Sequence, residues 1–154
     1  MCFGVQGRDL SGKSELRYIT IRFDESFPKI FGLESFNPNY KGYTVEGPID
    51  SLFIPNCIAM AGADVSLDEV IRVSNCRKDN MVRVFDNEPR NPQMIARVEK
   101  AIANNENVCI WPSSIKQKDI NDMYCAGLDP KKIIDNNTYN GLEAQLQLTT
   151  YRKD

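Results

Sequence analysis

The chain has 154 residues, a formal net charge of −2 and no histidine. A chain of this length is expected to form one domain, and its slightly acidic balance argues against a generically basic nucleic-acid coat. The absence of histidine excludes every Ser-His, Cys-His and histidine-base mechanism. The five cysteines form no Cys-x-x-Cys pair, so we expect no zinc in this chain. Any catalysis must therefore depend on carboxylates, cations and metal.

We expect neither a membrane span nor a signal peptide in this sequence. No segment approaches the ~20 apolar residues of a membrane-crossing helix. The first residues, Met1 to Gly4, lack the basic and apolar regions of a signal peptide. We therefore expect a cytoplasmic location and no membrane partner.

Residues 1–40 differ from the rest of the chain in charge and pattern. The β-prone stretch from Tyr18 to Ile21 follows several turn residues and predicts a short antiparallel element. We interpret this region as a short β-containing arm that leads into the main domain. Its basic side chains are candidates for contacts with a phosphate backbone: Arg8, Arg17, Arg22 and Lys29. The alternative is that these basic residues form a solvated surface without a binding role, and residue chemistry alone favours this alternative.

From residue 41 onwards, predicted strands alternate with predicted helices. The strands are expected at 41–46, 57–61, 81–85 and 107–111. The helices are expected at 48–53, 66–73, 119–126 and 130–135, and a longer one follows the third strand. Ser66 and Glu69 form a capping box that begins the second helix. The alternation indicates a parallel sheet of about four strands with helices on both faces. Residues 141–154 give no clear assignment.

Acidic residues follow three of the predicted strands. The candidate metal ligands are Glu46, Asp86, Glu88 and Asp119, with Asp50 and Asp122 behind them. The carboxyl ends of parallel strands meet at one edge of the sheet, where open α/β proteins bind their ligands. Carboxylate oxygens from three loops would suit one or two Mg²⁺ ions. For Asp119 or Asp50 taken alone, a helix N-cap or a solvated loop residue is the favoured alternative.

The acidic motifs resemble those of the Toprim domain, which bacterial-type primases, topoisomerases and some nucleases share. The motifs are Val45–Asp50, Phe85–Glu88 and Lys118–Asp122. Three flanking segments resemble primases in particular: Phe3–Arg8, Leu16–Tyr18 and Pro28–Leu33. The residues of the acidic motifs are most similar to those in primases of large tailed bacteriophages. The resemblance covers nearly the whole chain.

This resemblance implies a Rossmann-like Toprim core that holds Mg²⁺ or Mn²⁺ and makes an RNA primer from ribonucleoside triphosphates on a single-stranded DNA template. The implied catalytic and metal-binding residues are Glu46, Asp86 and Glu88, with Asp119 as a further metal ligand. The implied contacts to template or nucleotide phosphates are Arg8, Arg17, Lys29 and Lys118. The implied supporting residues are Asp50, Asn121 and Asp122. A replicative helicase is the expected protein partner, and the cytoplasm of a bacterial host is the expected location if a phage encodes the protein.

The resemblance divides the chain into three parts. The sequence also departs from the family pattern in several places. Residues 1–40 would be the arm or the end of the primase core, residues 41–128 the Toprim domain, and residues 129–154 a C-terminal helical extension. The second acid of an Asp-x-Asp motif is Glu88 here, and Asn121 replaces an aspartate in the last motif. The zinc ribbon and basic subdomain of such primases lie outside this sequence, so we expect a fragment, a split gene product or a reduced protein. The alternatives are a Toprim nuclease and a non-catalytic module that docks on helicase or template.

Overall fold

A computed structural model describes residues 2–11, 13, 15, 18–62 and 65–152. Two strands form an antiparallel hairpin: β1 (Gly4–Arg8) and β2 (Tyr18–Arg22). Six further strands form the main sheet: β3 (Ile30–Phe31), β4 (Gly42–Val45), β5 (Cys57–Met60), β6 (Met81–Arg83), β7 (Asn107–Cys109) and β8 (Thr138–Tyr139). The hairpin confirms the predicted β-containing arm. Arg17, one of the predicted phosphate contacts, lies outside the described residues.

The main sheet has the strand order β3-β5-β4-β6-β7-β8. Its four inner strands are parallel, and both edge strands run antiparallel to their neighbours. The parallel core of four strands is as predicted, but the sheet has six strands. Each edge strand has only two residues, which is too short for the alternating pattern that reveals a strand. One edge strand comes from each of the segments that flank residues 41–128.

Within the described residues, six α-helices connect and cover the strands. They are α1 (Pro48–Ser51), α2 (Leu67–Ser74), α3 (Pro92–Ala103), α4 (Ile120–Cys125), α5 (Pro130–Asn136) and α6 (Gly141–Tyr151). The predicted capping box of α2 is present, because Ser66 Oγ accepts from Glu69 N at 3.2 Å and Ser66 N donates to Glu69 Oε2 at 2.8 Å. Helix α6 covers part of the segment that the sequence left unassigned. None of the helices in the described ranges has the length and apolar character of a membrane span.

Helices cover both faces of the sheet, as predicted. Successive side chains of a strand point to opposite faces. In β5, Cys57 and Ala59 join the larger core cluster, whereas Ile58 and Met60 join a smaller one with residues of α2. The larger cluster contains the apolar faces of α3, α5 and α6. The parallel strands are therefore buried on both sides, which leaves their carboxyl ends as the accessible edge.

Candidate active site

A cleft opens between the carboxyl ends of the parallel strands and the N-terminal hairpin. Its volume is about 470 Å³, and its walls are mostly polar. The segments that follow the strands contribute five carboxylates: Glu46, Asp50, Asp86, Asp119 and Asp122. The hairpin contributes Gln6, Arg8, Tyr18 and Thr20. The fold therefore brings acidic residues from three separate loops to one place, as the positions of the predicted strands required.

Glu46 and Asp50 come from the short connection between β4 and α1. Gly47 is the N-cap of that helix, and a Cβ atom at this position would lie only 2.5 Å from Asp50 Oδ2. Glycine thus allows the aspartate to fold back over the turn. Asp50 Oδ1 accepts a hydrogen bond from Asn121 N at 3.0 Å, which ties this loop to the start of α4.

Asp86 lies beyond β6, in a loop that is fixed on both sides. Trp111 Nε1 donates to the carbonyl oxygen of Phe85 at 2.8 Å and so holds the residue directly before Asp86. Asn87 N donates to the carbonyl oxygen of Lys118 at 2.7 Å. The loops that follow β6 and β7 are therefore joined through their backbones, which sets the position of Asp86 relative to the last acidic motif.

The last acidic motif begins helix α4. Asp119 is the N-cap, and its Oδ1 accepts from Asp122 N at 2.7 Å. Asn121 and Asp122 also line the cleft. Asp119 thus has the capping role that the sequence offered as the alternative to metal binding. The cap engages Oδ1, and Asp119 also lines the cleft.

The carboxylates of the cleft oppose one another electrostatically. Burial raises the pKa of Asp86 to about 7, and the negative charges of Glu46 and Asp50 add to this effect while Lys118 opposes it. Burial also raises the pKa of Glu46, against the opposing effect of Arg97. Burial likewise raises the pKa of Asp50, against the hydrogen bond from Asn121 N. A cation placed among these groups would relieve their repulsion and favour their ionised forms.

An arginine that the sequence did not single out contacts the first acid. Arg97 Nη1, from α3, lies 2.5 Å from Glu46 Oε1. The contact is an ion pair, and among the described residues no hydrogen-bond donor is aligned with this buried oxygen. Arg97 also lies over the ring of Phe85, at 5.5 Å from its centroid. Sequence periodicity places Arg97 on a helix but gives no sign of its partner.

Glu88 has a different environment from the other predicted ligands. Its Oε1 lies 2.7 Å from Lys118 Nζ, and its Oε2 accepts from Asn91 Nδ2 at 2.6 Å. Both contacts lower the pKa of Glu88, the ion pair with Lys118 more than the other. Glu88 does not line the cleft, whereas Lys118 does. Of the four predicted metal ligands, Glu46, Asp86 and Asp119 line the cleft, together with Asp50.

The donor chemistry of the cleft fits Mg²⁺ or Mn²⁺. Both ions prefer oxygen ligands, and the cleft offers carboxylates; burial first, and the neighbouring charges of Glu46 and Asp50 second, raise the pKa of Asp86. In the described part of the chain, no three carboxylates, thiols or imidazoles are arranged as a ready-made metal cage. Arg97 contacts Glu46 Oε1, an oxygen that a metal would otherwise need. Metal binding by these residues therefore remains a prediction.

The basic residues predicted to contact phosphates lie in different places. Arg8 lines the cleft, and its guanidinium lies 5.5 Å from the ring centroid of Tyr18. Lys29 and Arg22 line a neighbouring apolar cleft of about 350 Å³, between the hairpin and the sheet. The two clefts share residues of the hairpin, α1 and β5's end: Gln6, Thr20, Pro48 and Ala61. They are therefore adjacent parts of one groove.

The strand order and the acidic cleft define an α/β domain with a mostly parallel sheet and a candidate ligand site at the carboxyl ends of its strands. The chain is a DNA-primase homologue. It is 41% identical over 153 residues to the DNA primase of Enterobacteria phage T4, and the alignment covers 96% of this chain and 43% of that relative. The predicted relationship to primases is confirmed. No protein-family model matches the chain.

A solved structure gives an independent comparison of the fold. The crystal structure of the Aquifex aeolicus primase, comprising zinc-binding and RNA polymerase domains, matches 96% of this chain and 36% of that one, with a TM-score of 0.53. The two sequences are 19% identical, so the match concerns the fold alone. The chain spans less than half the length of either protein.

Proposed function

We propose that the chain is the catalytic portion of a DNA primase. It would transfer nucleotides from ribonucleoside triphosphates to the 3′-hydroxyl of an RNA primer on single-stranded DNA. The observation that carries this proposal is the acidic cleft, which gathers Glu46, Asp50 and Asp86 beside Lys118 in a chain homologous to a primase. We extend the proposal to a replicative helicase as partner and to the cytoplasm of a bacterial host as the place of action.

The acidic and the basic residues of the cleft would have different roles. Glu46, Asp50, Asp86 and Asp119 would hold Mg²⁺ or Mn²⁺. The cation would neutralise charge on the transferring phosphoryl group and the leaving oxygens. Asp86 would release its proton when the cation binds, since its pKa lies near 7 without one. Arg8 and Lys118 would attract the phosphates, because both line the same cleft as the carboxylates.

Three parts of the chain would contribute differently. Residues 1–40 would guide template or nucleotide into the groove through Arg8, Arg17 and Lys29. Residues 41–128 would form the Toprim core with the acidic cleft. Residues 129–154 would form a helical extension that closes the sheet, because β8 pairs with β7 in the register Val108 to Tyr139.

A primer-extension assay would test the proposal. A short RNA annealed to single-stranded DNA bypasses template selection and initiation, so it tests the chemistry of the cleft directly. We expect Mn²⁺-dependent addition of ribonucleotides by the chain, and loss of the product in Glu46→Gln. The matched control is Glu143→Gln, on the exposed start of α6, which should keep full activity.

Two other outcomes would reject the proposal. Cleavage of the annealed RNA or DNA, dependent on Mn²⁺ and on Glu46, would identify a Toprim nuclease instead. Absence of both reactions, together with absence of Mn²⁺ binding in the presence of nucleotide, would identify a non-catalytic module. Normal extension by Glu46→Gln would remove the role given to that residue.

A further inference from the structure

Both carboxylate oxygens of Glu88 are engaged by neighbouring side chains. Lys118 Nζ contacts Oε1 at 2.7 Å, and Asn91 Nδ2 donates to Oε2 at 2.6 Å. The negative charge of Glu88 contributes to the raised pKa of Glu46. Glu88 is therefore near enough to the cleft to act on it electrostatically. The difference is that its oxygens have partners which would have to be released before a metal could bind.

The partner Asn91 is itself fixed in place. It is the N-cap of α3, and its Oδ1 accepts from Gln93 N at 3.0 Å and from Met94 N at 3.4 Å. Its backbone N–H donates to the carbonyl oxygen of Glu88 at 3.1 Å. Asn91 therefore cannot follow Glu88 toward the cleft without uncapping the helix. A local turn and a helix cap hold the glutamate in its present direction.

Lys118 is held at both of its ends by the same loop. Its carbonyl oxygen accepts from Asn87 N at 2.7 Å, and its ammonium group contacts Glu88. The lysine nevertheless lines the cleft beside Asp86, and its side chain is 57% exposed. A cation in this position is exposed to an anionic ligand and interacts electrostatically with the cleft residues Asp86 and Asp119.

We infer that Glu88 is a positioning residue, which holds Lys118 at the cleft to receive the triphosphate of the incoming nucleotide, and that it is not a metal ligand. This inference rests on the proposed function, since it assigns the nucleotide to the same cleft. The extra methylene of glutamate gives the reach to Lys118 and Asn91 together. Asp50 takes the place that Glu88 would otherwise have among the metal-binding carboxylates.

Mn²⁺ binding, measured by the electron paramagnetic resonance signal of the free ion, separates positioning from ligation. We expect Glu88→Gln to change the dissociation constant by less than about twofold, and Asp86→Asn to raise it by about tenfold, because a lost charged ligand weakens a site directly. Equal weakening in both variants would overturn the inference.

Primer extension then tests what the positioning achieves. We expect Glu88→Gln to raise the KM for ribonucleoside triphosphate with little change in kcat. Asn91→Ser, which keeps a capping oxygen and removes the donor to Glu88, should act in the same direction. Glu88→Asp is decisive because aspartate is a good metal ligand but too short for the two contacts. It should behave like Glu88→Gln, and wild-type behaviour would overturn the inference.

A metal-free measurement distinguishes failure of the inference from failure of the proposed function. The rate at which acetic anhydride modifies Lys118, relative to its exposed neighbour Lys116, reports whether the ammonium group is held by Glu88. We expect this ratio to rise several-fold in Glu88→Gln. An unchanged ratio overturns the inference whatever the metal result. A wild-type chain that binds no Mn²⁺ but shows the rise would reject the metal site and retain the clamp on Lys118.

Discussion

The guanidinium of Arg97 and the carboxylate of Glu46 form an ion pair at 2.5 Å, at the edge of the acidic cleft. The arginine lies on α3 and the glutamate follows β4, so the pair links a helix to the acidic edge of the sheet. Burial raises the pKa of Glu46, and Arg97 is the largest influence that opposes this rise. The arginine therefore favours the ionised form of the acid while also competing for its oxygen.

Substitution Arg97→Gln should shift Mn²⁺ binding to higher pH. Without the guanidinium, the pKa of Glu46 rises further, because Arg97 is the largest influence that lowers it, and the protonated acid cannot bind a metal. We expect the midpoint of the pH dependence of Mn²⁺ binding to move upward accordingly. Arg72→Gln, on α2 and away from the cleft, is the matched control and should leave the midpoint unchanged. A downward shift would show that competition for the oxygen outweighs the effect on ionisation.

Asp86 should make the metal-free protein less stable as the pH rises. Its pKa is about 7 in the folded state and about 3.9 in an unfolded chain. Between these values the folded state binds more protons, so its stability is greatest below the lower value and is lost as pH rises through the higher one. Asp86→Asn should flatten this decline, as measured by urea unfolding in the presence of a chelator. An equal decline in both proteins would assign it to other groups.

The sequence predicted the positions of the acidic residues but not the contacts of each one. Parallel strands place their carboxyl ends on one edge, so Glu46, Asp86 and Asp119 had to converge once the strands were recognised. The partners Arg97 and Asn91 come from a helix whose rotation about its axis decides which side chains reach the cleft. The direction of a side chain within a loop depends on such tertiary contacts, and for this reason the contacts of Glu88 with Lys118 and Asn91 could not be predicted.

The residue pattern did not reveal helix α6, for a different physical reason, although the resemblance implied a helical extension there. Its buried side chains are Ala144, Leu148 and Tyr151, whereas Leu142 and Leu146 are exposed. Apolar residues thus occupy both faces of the helix, and the periodicity that reveals an amphipathic helix is absent. The two edge strands were not predicted, because a strand of two residues is too short to show an alternating apolar pattern. The parallel core and the helices with clear caps, such as α2, were predictable.

Asp135 should contribute to stability away from the cleft. Its carboxylate accepts from Tyr43 Oη at 2.7 Å, and from Lys41 Nζ and Lys131 Nζ at 2.6 Å each. Burial would raise the pKa of Asp135, but these three hydrogen bonds outweigh it and hold the pKa well below its usual range. We expect Asp135→Ala to lower the free energy of unfolding by about 2 kcal/mol, because a charged acceptor is removed from the phenol of buried Tyr43.

The pH dependence and a matched ion pair test this role of Asp135. An acid with a lowered pKa stabilises the fold above its unfolded pKa, and this contribution is lost as pH falls toward the folded value. The effect of Asp135→Ala should therefore shrink in acid. Asp79→Ala removes an exposed ion pair, since the side chain of Arg77 is 79% exposed and that of Asp79 is 81% exposed. This substitution should lower the free energy of unfolding by less than about 0.5 kcal/mol. Similar costs for both substitutions at neutral pH would contradict the prediction.

The buried pair of Arg83 and Glu106 should be costly to break and inexpensive to replace as a whole. Arg83 Nη1 lies 3.3 Å from Glu106 Oε2, and the side chains are 13% and 6% exposed. Burial lowers the pKa of Arg83, while Glu106 opposes that shift. Glu106→Gln leaves the guanidinium without its counter-charge and should destabilise the fold by about 3 kcal/mol. The double substitution Arg83→Met with Glu106→Leu should restore most of this loss. Urea unfolding of the two variants measures both effects, and a double variant no more stable than Glu106→Gln would show that the pair is required for packing as well as for charge balance.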